Sequence, residues 1–311
     1  MNKNFFSSMV QFQMKYPNET FALAISGGAD SMALLHWAAL AGLNCVALTV
    51  DHKLRLESRA EAEHVSEICK KLGIQHNVLE WNGNKPETGI EEAARAARYD
   101  LMLAFCKKNN IGVLMTAHQA DDTIETFLMN LGRGSGVYGL AGIREQTQRD
   151  GIIIFRPLLK VSRAELQKYC DYNDIKYFND SMNEDESFLR VKIRKNRHIL
   201  EKLNITDSRL LLAIDNLGRM RDYVESESAR LIRTFGNEFD EMTLLSLPDE
   251  LRFRILSMLL SADYPLRLND IKNAFSKLDA GDCKFTLANY NIRKLNGKIR
   301  IWKEGTKWSK L

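Results

Sequence analysis

The sequence predicts an α/β fold: a doubly wound, mostly parallel sheet, followed by a helical connector and a small basic C-terminal domain. Three observations predict it. Apolar runs of strand length recur at Phe21 to Ile25, Asn44 to Val50, His76 to Leu79, Val113 to Ala117 and Ile152 to Phe155. Helical patterns fill the intervals between them, and strands alternating with helices at this spacing form βα units, which build parallel sheets. After Pro157 the alternation fades and cationic residues accumulate.

Each element has a local reason. Residues 1–20 read as a short helix carried by Phe5, Phe6, Met9, Val10 and Phe12 and closed near Pro17. The first strand ends in Ser26-Gly27-Gly28-Ala29-Asp30-Ser31, and a helix runs from there to about Ala41, where Gly42 stops it. The second strand ends in Asp51-His52-Lys53-Leu54-Arg55. Ser58-x-x-Glu61 and Thr88-x-x-Glu91 read as capping boxes, opening helices to Leu72 and from Ile90 to Asn109. A helix is expected from about Asp121 to Leu131, then a glycine-rich loop, 132–142. Ser162-x-x-Glu165 caps a helix to about Asn173, and a polar loop from Asn179 to Glu186 precedes a basic run. Residues 205–236 and Leu244 to Leu260 read as helical. Short strands are expected from Phe285 to Trp302, with turns at Asn289 and Asn296-Gly297.

Composition narrows the class. The chain has 311 residues, 45% hydrophobic and 27% charged, as expected of a water-soluble globular protein with one large or two moderate domains. The net charge of +4 is uneven: residues 1–150 sum to −2 and residues 151–311 to +6. That split suits an enzyme core joined to a polyanion-binding part. The five cysteines include no Cys-x-x-Cys pair, which points to reduced thiols and a cytoplasmic protein without a zinc or redox motif. The start of the chain lacks a signal-peptide pattern. The most apolar stretch, Met32 to Val50, is broken by His36, Gly42 and Asn44, so no membrane span is expected.

The stretch around which the chemistry gathers is 26–31. Strand, glycine-rich turn and helix together form a phosphate cradle: the glycines let the backbone approach an anion, and the free N–H groups of the first helical turn point at it. The helix dipole supplies only about 0.3–2 kcal/mol, so cationic help is needed. Asp30 inside the cradle would repel phosphate unless a metal stands between them, and Mg²⁺ is the natural choice. The loop lacks the Gly-Lys-Ser/Thr of a Walker A loop and the Gly-x-Gly-x-x-Gly of a dinucleotide fingerprint. A second constellation places His118, Asp122 and Glu125 at i, i+4 and i+7, one face if the segment is helical, where they could hold Mg²⁺ and position a substrate. An acid-rich helix start, which the dipole favours, would look the same. Arg95 and Arg98, the lone Arg133 in the glycine-rich loop, and Arg190, Lys192, Arg194 and Arg197 in a run with no acids over 187–200 suit phosphate or a nucleic-acid backbone. Solvated charged faces would read the same way. Lys284 to Leu311 carries eight Lys/Arg and one Glu, with Tyr290, Trp302 and Trp308 interleaved. Such a run suits RNA contact or a small β core with snorkelling lysines.

Taken in order, Ser-Gly-Gly-Ala-Asp-Ser (26–31), Val-Asp-His-Lys-Leu-Arg (50–55), Gly-Ile-Glu-Glu-Ala-Ala-Arg-Ala-Ala-Arg-Tyr (89–99), Thr-Ala-His-Gln-Ala-Asp-Asp-Thr-Ile-Glu-Thr (116–126), Leu-Gly-Arg-Gly-Ser-Gly (131–136), Gly-Leu-Ala-Gly (139–142) and Arg-Pro-Leu-Leu (156–159) resemble the tRNA(Ile)-lysidine synthetases. These belong to the PP-loop ATP pyrophosphatase superfamily. The resemblance covers roughly residues 20–200 and extends beyond them only in layout. It implies an adenine nucleotide alpha hydrolase-like catalytic domain over 1–200, and a helical linker with a small tRNA-binding domain over 201–311. It implies ligation of free L-lysine to C2 of the wobble cytidine of CAU-anticodon tRNA(Ile), through an adenylated tRNA, with ATP and Mg²⁺ as cofactors. Residue by residue, it assigns catalysis to Asp30, His118, Asp122 and Glu125. ATP would meet Ser26, Gly27, Gly28, Ala29, Asp30, Ser31, Asp51 and His52, and the metal would sit on Asp30 and Asp122. Arg55, Arg95, Arg98, Arg133, Arg190, Lys192, Arg194 and Arg197 would contact tRNA or phosphate. A homodimer is one assembly open to such a chain. Two positions depart from the pattern: Lys53 stands where glycine is usual, and Gln119 where a second histidine is common. The competing readings are a 2-thiocytidine-forming sulfurtransferase of the same superfamily, which the cysteine pattern disfavours, and a tRNA-binding protein without catalysis. A glutamine-dependent synthetase would need an amidotransferase domain that does not fit this length.

Overall fold

The computed structural model describes residues 2–17, 19–53, 57–83, 85–86, 88–178, 189–260, 266 and 268–307. Its contacts divide the chain into two units, Met1–Ile214 and Asp215–Leu311. Helix α9 (Asp207–Phe235) carries the chain across that division.

The first unit is built on a six-stranded sheet in the order β3-β2-β1-β4-β6-β5. Its strands are β1 (Phe21–Ala24), β2 (Cys45–Asp51), β3 (Gln75–Glu80), β4 (Val113–Met115), β5 (Gln146–Arg149) and β6 (Ile152–Phe155). All pairs are parallel except β5–β6. The doubly wound sheet is therefore as expected, with one addition. The polar β5 has no apolar pattern to announce it, and it exists because β6 offers an edge to pair with. The period of two shows in β1: Phe21 and Leu23, with Ile25 beyond, enter the core on one face, and Ala22 enters the core on the other.

Helices α1 (Lys3–Lys15), α2 (Ala29–Leu40) and α7 (Arg163–Tyr172) contribute to the first core. Phe5, Met9 and Phe12 of α1 are buried at helical spacing. Phe5 lies 5.3 Å from Trp37, and Phe12 stacks on Phe155 at 4.2 Å between ring centroids. Each fully buried side chain of this kind contributes about 1.5–3 kcal/mol. Helix α4 (Ile90–Lys108) packs Met102, Leu103 and Cys106 on the opposite face. The remaining helices of this unit are α3 (Glu57–Leu72), α5 (Ala120–Gly132), the short α6 (Val137–Leu140) inside the glycine-rich loop, and α8 (Leu189–Lys202).

Helix starts separate the expected caps. Ser162 and Glu165 form a reciprocal capping box on α7. Thr88 does not cap α4; Gly89 does, with φ of +70°, because the chain enters that helix through a left-handed residue that glycine tolerates best. Helix α3 begins at Glu57, one residue before the expected cap Ser58. The expected loop Asn179 to Glu186, Arg55 and Trp308 lie outside the described residues.

The second unit holds α10 (Glu241–Leu245), α11 (Asp249–Leu260) and α12 (Leu268–Asp279) with a sheet in the order β7-β10-β9-β8. Its strands are β7 (Glu238–Asp240), β8 (Cys283–Leu287), β9 (Tyr290–Leu295) and β10 (Lys298–Lys303), all antiparallel. Asn289 and Asn296 have positive φ, as the expected turns require. Phe239, Ile292, Ile299 and Ile301 form the core with Ile255, Leu256, Phe275 and Leu278. Of the basic run, Lys294 turns inward, only 4% exposed, donating to the Leu278 carbonyl at 2.7 Å and pairing with Glu241.

Candidate active site

In a doubly wound sheet, ligands bind beyond the carboxyl ends of the strands, where the strand order reverses. Here β1 lies between β2 and β4, and the ends of these three strands carry the predicted groups. The loop after β1 closes on Ser31. The Ser31 hydroxyl donates to the Gly28 carbonyl at 2.9 Å and accepts from the Ser26 N–H at 3.2 Å. Gly27 has φ of +86°, and its carbonyl accepts from the Phe178 N–H at 3.0 Å. Gly28 is the N-cap of α2 and supplies no side-chain cap, so the first-turn N–H groups stay open to an anion.

The acidic side comes from α5. Here one expectation is corrected: His118 does not share a helical face with Asp122 and Glu125. It precedes the N-cap, Gln119, so its position follows the end of β4 rather than the turn of α5. Gln119 is fully buried and forms a capping box with Asp122: its side-chain oxygen accepts from the Asp121 N–H at 2.5 Å, and its own N–H donates to Asp122 at 3.1 Å. That capping role accounts for an amide at this position.

Arg163 is the residue that sequence reasoning missed. It is the first residue of α7, and its N–H donates to Asp121 at 2.8 Å. Its guanidinium faces three carboxylates through three different nitrogens: Nε to Asp30 at 3.9 Å, Nη2 to Asp122 at 3.4 Å and Nη1 to Glu125 at 3.5 Å. One signal was available, since a cation at a helix N-terminus opposes the dipole and needs a stronger partner. Glu125 is 1% exposed and also accepts from Arg194 Nε at 3.0 Å.

The basic side comes from α4 and α8. Arg95, Arg98, Arg190 and Arg194 line one cleft of about 690 Å³ with Ser26, Gly28, Ala29, Asp30, Ser31, His52, His118 and Asp122. That volume lies within the range of small-molecule sites. Burial, reinforced by Arg156 and Arg95, pushes His118 down to about 3, and Thr116 Oγ1 lies 2.8 Å from its Nδ1. Burial, then Arg98, pushes His52 down to about 4. Both imidazoles are neutral near pH 7. Burial pushes Asp30 up to about 6 against the opposing charge of Arg163, and burial also raises Asp122.

Other predicted residues stand off the wall of the cleft. Glu125 is buried in its ion pairs. Asp51 accepts from the Lys53 N–H at 2.8 Å. Lys53 has φ of +51°, a conformation in which glycine costs least, and its ammonium reaches Glu80 at 2.8 Å. Arg133 is exposed at the C-cap of α5, Lys192 is exposed on α8, and Arg197 is held by Asp121 and Asp207. The basic run of α8 is thus divided: Arg190 and Arg194, one turn apart, join the cleft, and Arg197 is bound internally.

A divalent cation suits the acidic residues. Asp30 Oδ1 is buried and has no hydrogen-bond partner among the described residues, and Asp30 interacts with the neighbouring Asp122. Mg²⁺ typically uses one or two carboxylates and completes its shell with phosphate oxygens and water.

Comparison with known proteins identifies the family. Residues 1–202 match the family model of a PP-loop domain. The chain is 36% identical to a tRNA(Ile)-lysidine synthase of Bradyrhizobium sp. (strain BTAi1) over 317 aligned residues, covering 90% of this chain and 88% of the relative. The chain belongs to the tRNA(Ile)-lysidine synthase family. A second member, from Wolbachia pipientis wMel, is 33% identical over 97% of this chain and 74% of its own length. Membership of the PP-loop family implies ATP binding. Among solved structures, a U34-tRNA thiolase from Methanococcus maripaludis aligns with a TM-score of 0.57 at 15% identity, covering 70% of this chain and 80% of that one, which shows a shared fold. None of the described helices is long and apolar enough to cross a membrane.

Proposed function

We propose that this chain ligates free L-lysine to C2 of the wobble cytidine of CAU-anticodon tRNA(Ile), converting ATP to AMP and diphosphate through an adenylated tRNA. The observation that carries this reading is the meeting, in one cleft, of an anion-ready loop, paired carboxylates and an arginine wall with a neutral histidine.

Each part has a task. The 26–31 loop and the open first turn of α2 hold the phosphates. Asp30 and Asp122 would hold Mg²⁺, which when bound neutralises the departing diphosphate. Arg95, Arg98 and Arg190 meet the tRNA backbone and place the cytidine beside His118. With its acid strength shifted to about 3, His118 is a poor base for a lysine ammonium and a good hydrogen-bond partner for the base edge.

The assay mixes the protein with ATP, Mg²⁺, labelled lysine and an unmodified tRNA(Ile) transcript, with tRNA(Met) in parallel. Label should enter the first tRNA alone and resist the mild alkali that strips aminoacyl esters. Diphosphate release without lysine transfer would keep the activation step and redirect the second step to a sulfur donor. Neither product, from folded protein that binds tRNA, would leave a non-catalytic binder.

For the second unit we propose tRNA contact through the outer sheet face. Lys284, Arg293 and Arg300 stand directly opposite one another on β8, β9 and β10. Like charges in cross-strand register are destabilising, and Glu238 on β7 lies beside Arg300 alone in this row. Reversing both exposed members, Lys284→Glu with Arg293→Glu, should weaken tRNA binding about tenfold or more and flatten its salt dependence. Unchanged affinity and salt slope in a folded double variant would remove this face from the interface.

A further inference from the structure

We propose that Arg163 is the resident cation of the active site, holding Asp30, Asp122 and Glu125 together until substrate cations arrive and then turning to the ATP phosphates. This rests on the lysine-ligation reading, which brings a metal and an ammonium to the same carboxylates.

The argument begins with charge. Three carboxylates from two helices converge on one guanidinium, at 3.4–3.9 Å through three separate nitrogens. Those distances are ion pairs without tight hydrogen bonds, so the side chain is held electrostatically and is free to exchange partners. Among the described residues, Glu125 has a second arginine in ion-pair contact, Arg194 at 3.0 Å, and Asp122 also feels the charge of Arg190. Asp30 therefore relies on Arg163 as its leading neutralising charge, and Asp122 shares Arg163 with the Gln119 N–H and Arg190, while Asp30 Oδ1 and Glu125 Oε2 are buried and unpartnered among the described residues. No group of three His, Cys, Asp or Glu side chains that could hold a metal is present among the described residues. A cation entering this site must compete with Arg163. The destination is also at hand: Arg163 lines the same cleft as Gly28 and Ser31, and the planar guanidinium fork fits phosphate oxygens as it fits carboxylates. The backbone does not need to move, because the Arg163 N–H stays anchored on Asp121. As a positioning residue, Arg163 would link the two loading events: phosphates draw the guanidinium away, and the vacated carboxylates accept the metal and the lysine ammonium.

The test uses Arg163→Gln and Arg163→Lys in the full chain. The first readout is Mn²⁺ binding to nucleotide-free protein, followed by the loss of the free Mn²⁺ resonance. Arg163→Gln should bind Mn²⁺ about tenfold or more tightly than the wild type, because a unit charge within 4 Å of the site is gone. Arg163→Lys keeps the charge and should stay near the wild type. The second readout is kinetic: Arg163→Gln should raise the ATP KM and lower kcat, with the lysine KM unchanged or lower. Unchanged Mn²⁺ affinity with parallel losses in melting temperature and activity would reduce Arg163 to a structural ion pair and overturn the proposal. Should Arg163→Gln not fold, Arg163→Lys decides: a planar fork that turns to phosphate predicts a raised ATP KM at wild-type Mn²⁺ affinity, and a wild-type ATP KM sinks the idea. If the wild-type protein makes no lysidine yet Arg163→Gln gains Mn²⁺ affinity, the resident cation stands and the lysine-ligation reading fails.

Discussion

Asp30→Asn should abolish tRNA-dependent lysine transfer, by about 10³-fold or more, while making the folded protein more stable at neutral pH. The loss follows from position. Asp30 is in the first turn of α2, at the mouth of the phosphate loop, and is the carboxylate best placed to bring a cation to the diphosphate. The gain follows from linkage. Burial pushes Asp30 up to about 6, whereas an unfolded aspartate titrates near 3.9. Between these values the folded state binds a proton that the unfolded state does not, so stability falls as pH rises through the window. Above pH 7 the ionised Asp30 costs the fold on the order of 1–3 kcal/mol, which asparagine avoids. Urea unfolding of both proteins from pH 4 to 8 checks this. The variant should be the more stable at pH 8 and the two curves should converge toward pH 4. A variant less stable at pH 8, or a gap independent of pH, would show that Asp30 is not held at the expense of the fold.

Glu125→Gln has the largest expected effect on stability, a loss of about 3–5 kcal/mol. Glu125 is 1% exposed and lies against two arginines, Arg163 and Arg194. Removing its charge strips Arg194 of its 3.0 Å ion pair and takes one of three carboxylates from Arg163, in a partly desolvated site. Breaking one side of such an arrangement costs far more than an exposed pair, which is worth about 0–1 kcal/mol. Denaturant unfolding followed by tryptophan fluorescence measures it, and a loss below about 1 kcal/mol would mean the ion pairs contribute little. Assays well below the melting range separate folding from chemistry. If Glu125 acts only by holding Arg163 and Arg194, the variant should keep its lysine KM and lose kcat, whereas a raised lysine KM would place Glu125 among the carboxylates that receive the ammonium.

How far the sequence could be read is visible residue by residue. The alternation of apolar runs and capped helices gave the parallel sheet, because hydrophobic period and helix starts are local properties of the chain. The phosphate loop was legible for the same reason: glycines, Asp30 and the helix start lie within six residues. Strand β5 was not legible, since its polar residues pair only because β6 lies beside them. His118 was misplaced onto α5, because spacing alone cannot tell a residue before an N-cap from one after it.

By itself, the sequence determined the fold class, the loop proposed to cradle phosphate and the family to which the chain belongs. It also named half of the residues that line the cleft. Only the tertiary structure decided how the charges are shared. Arg163 lies 133 residues beyond Asp30 and 38 beyond Glu125 in the chain, and it reaches both only because α7 packs against α2 beside the start of α5. Likewise, Arg190 and Arg194 face the cleft and Arg197 does not, because Asp121 and Asp207 claim it. Local patterns report what each segment will become. Electrostatic partners are set by distance in space, and the folded chain alone supplies that distance.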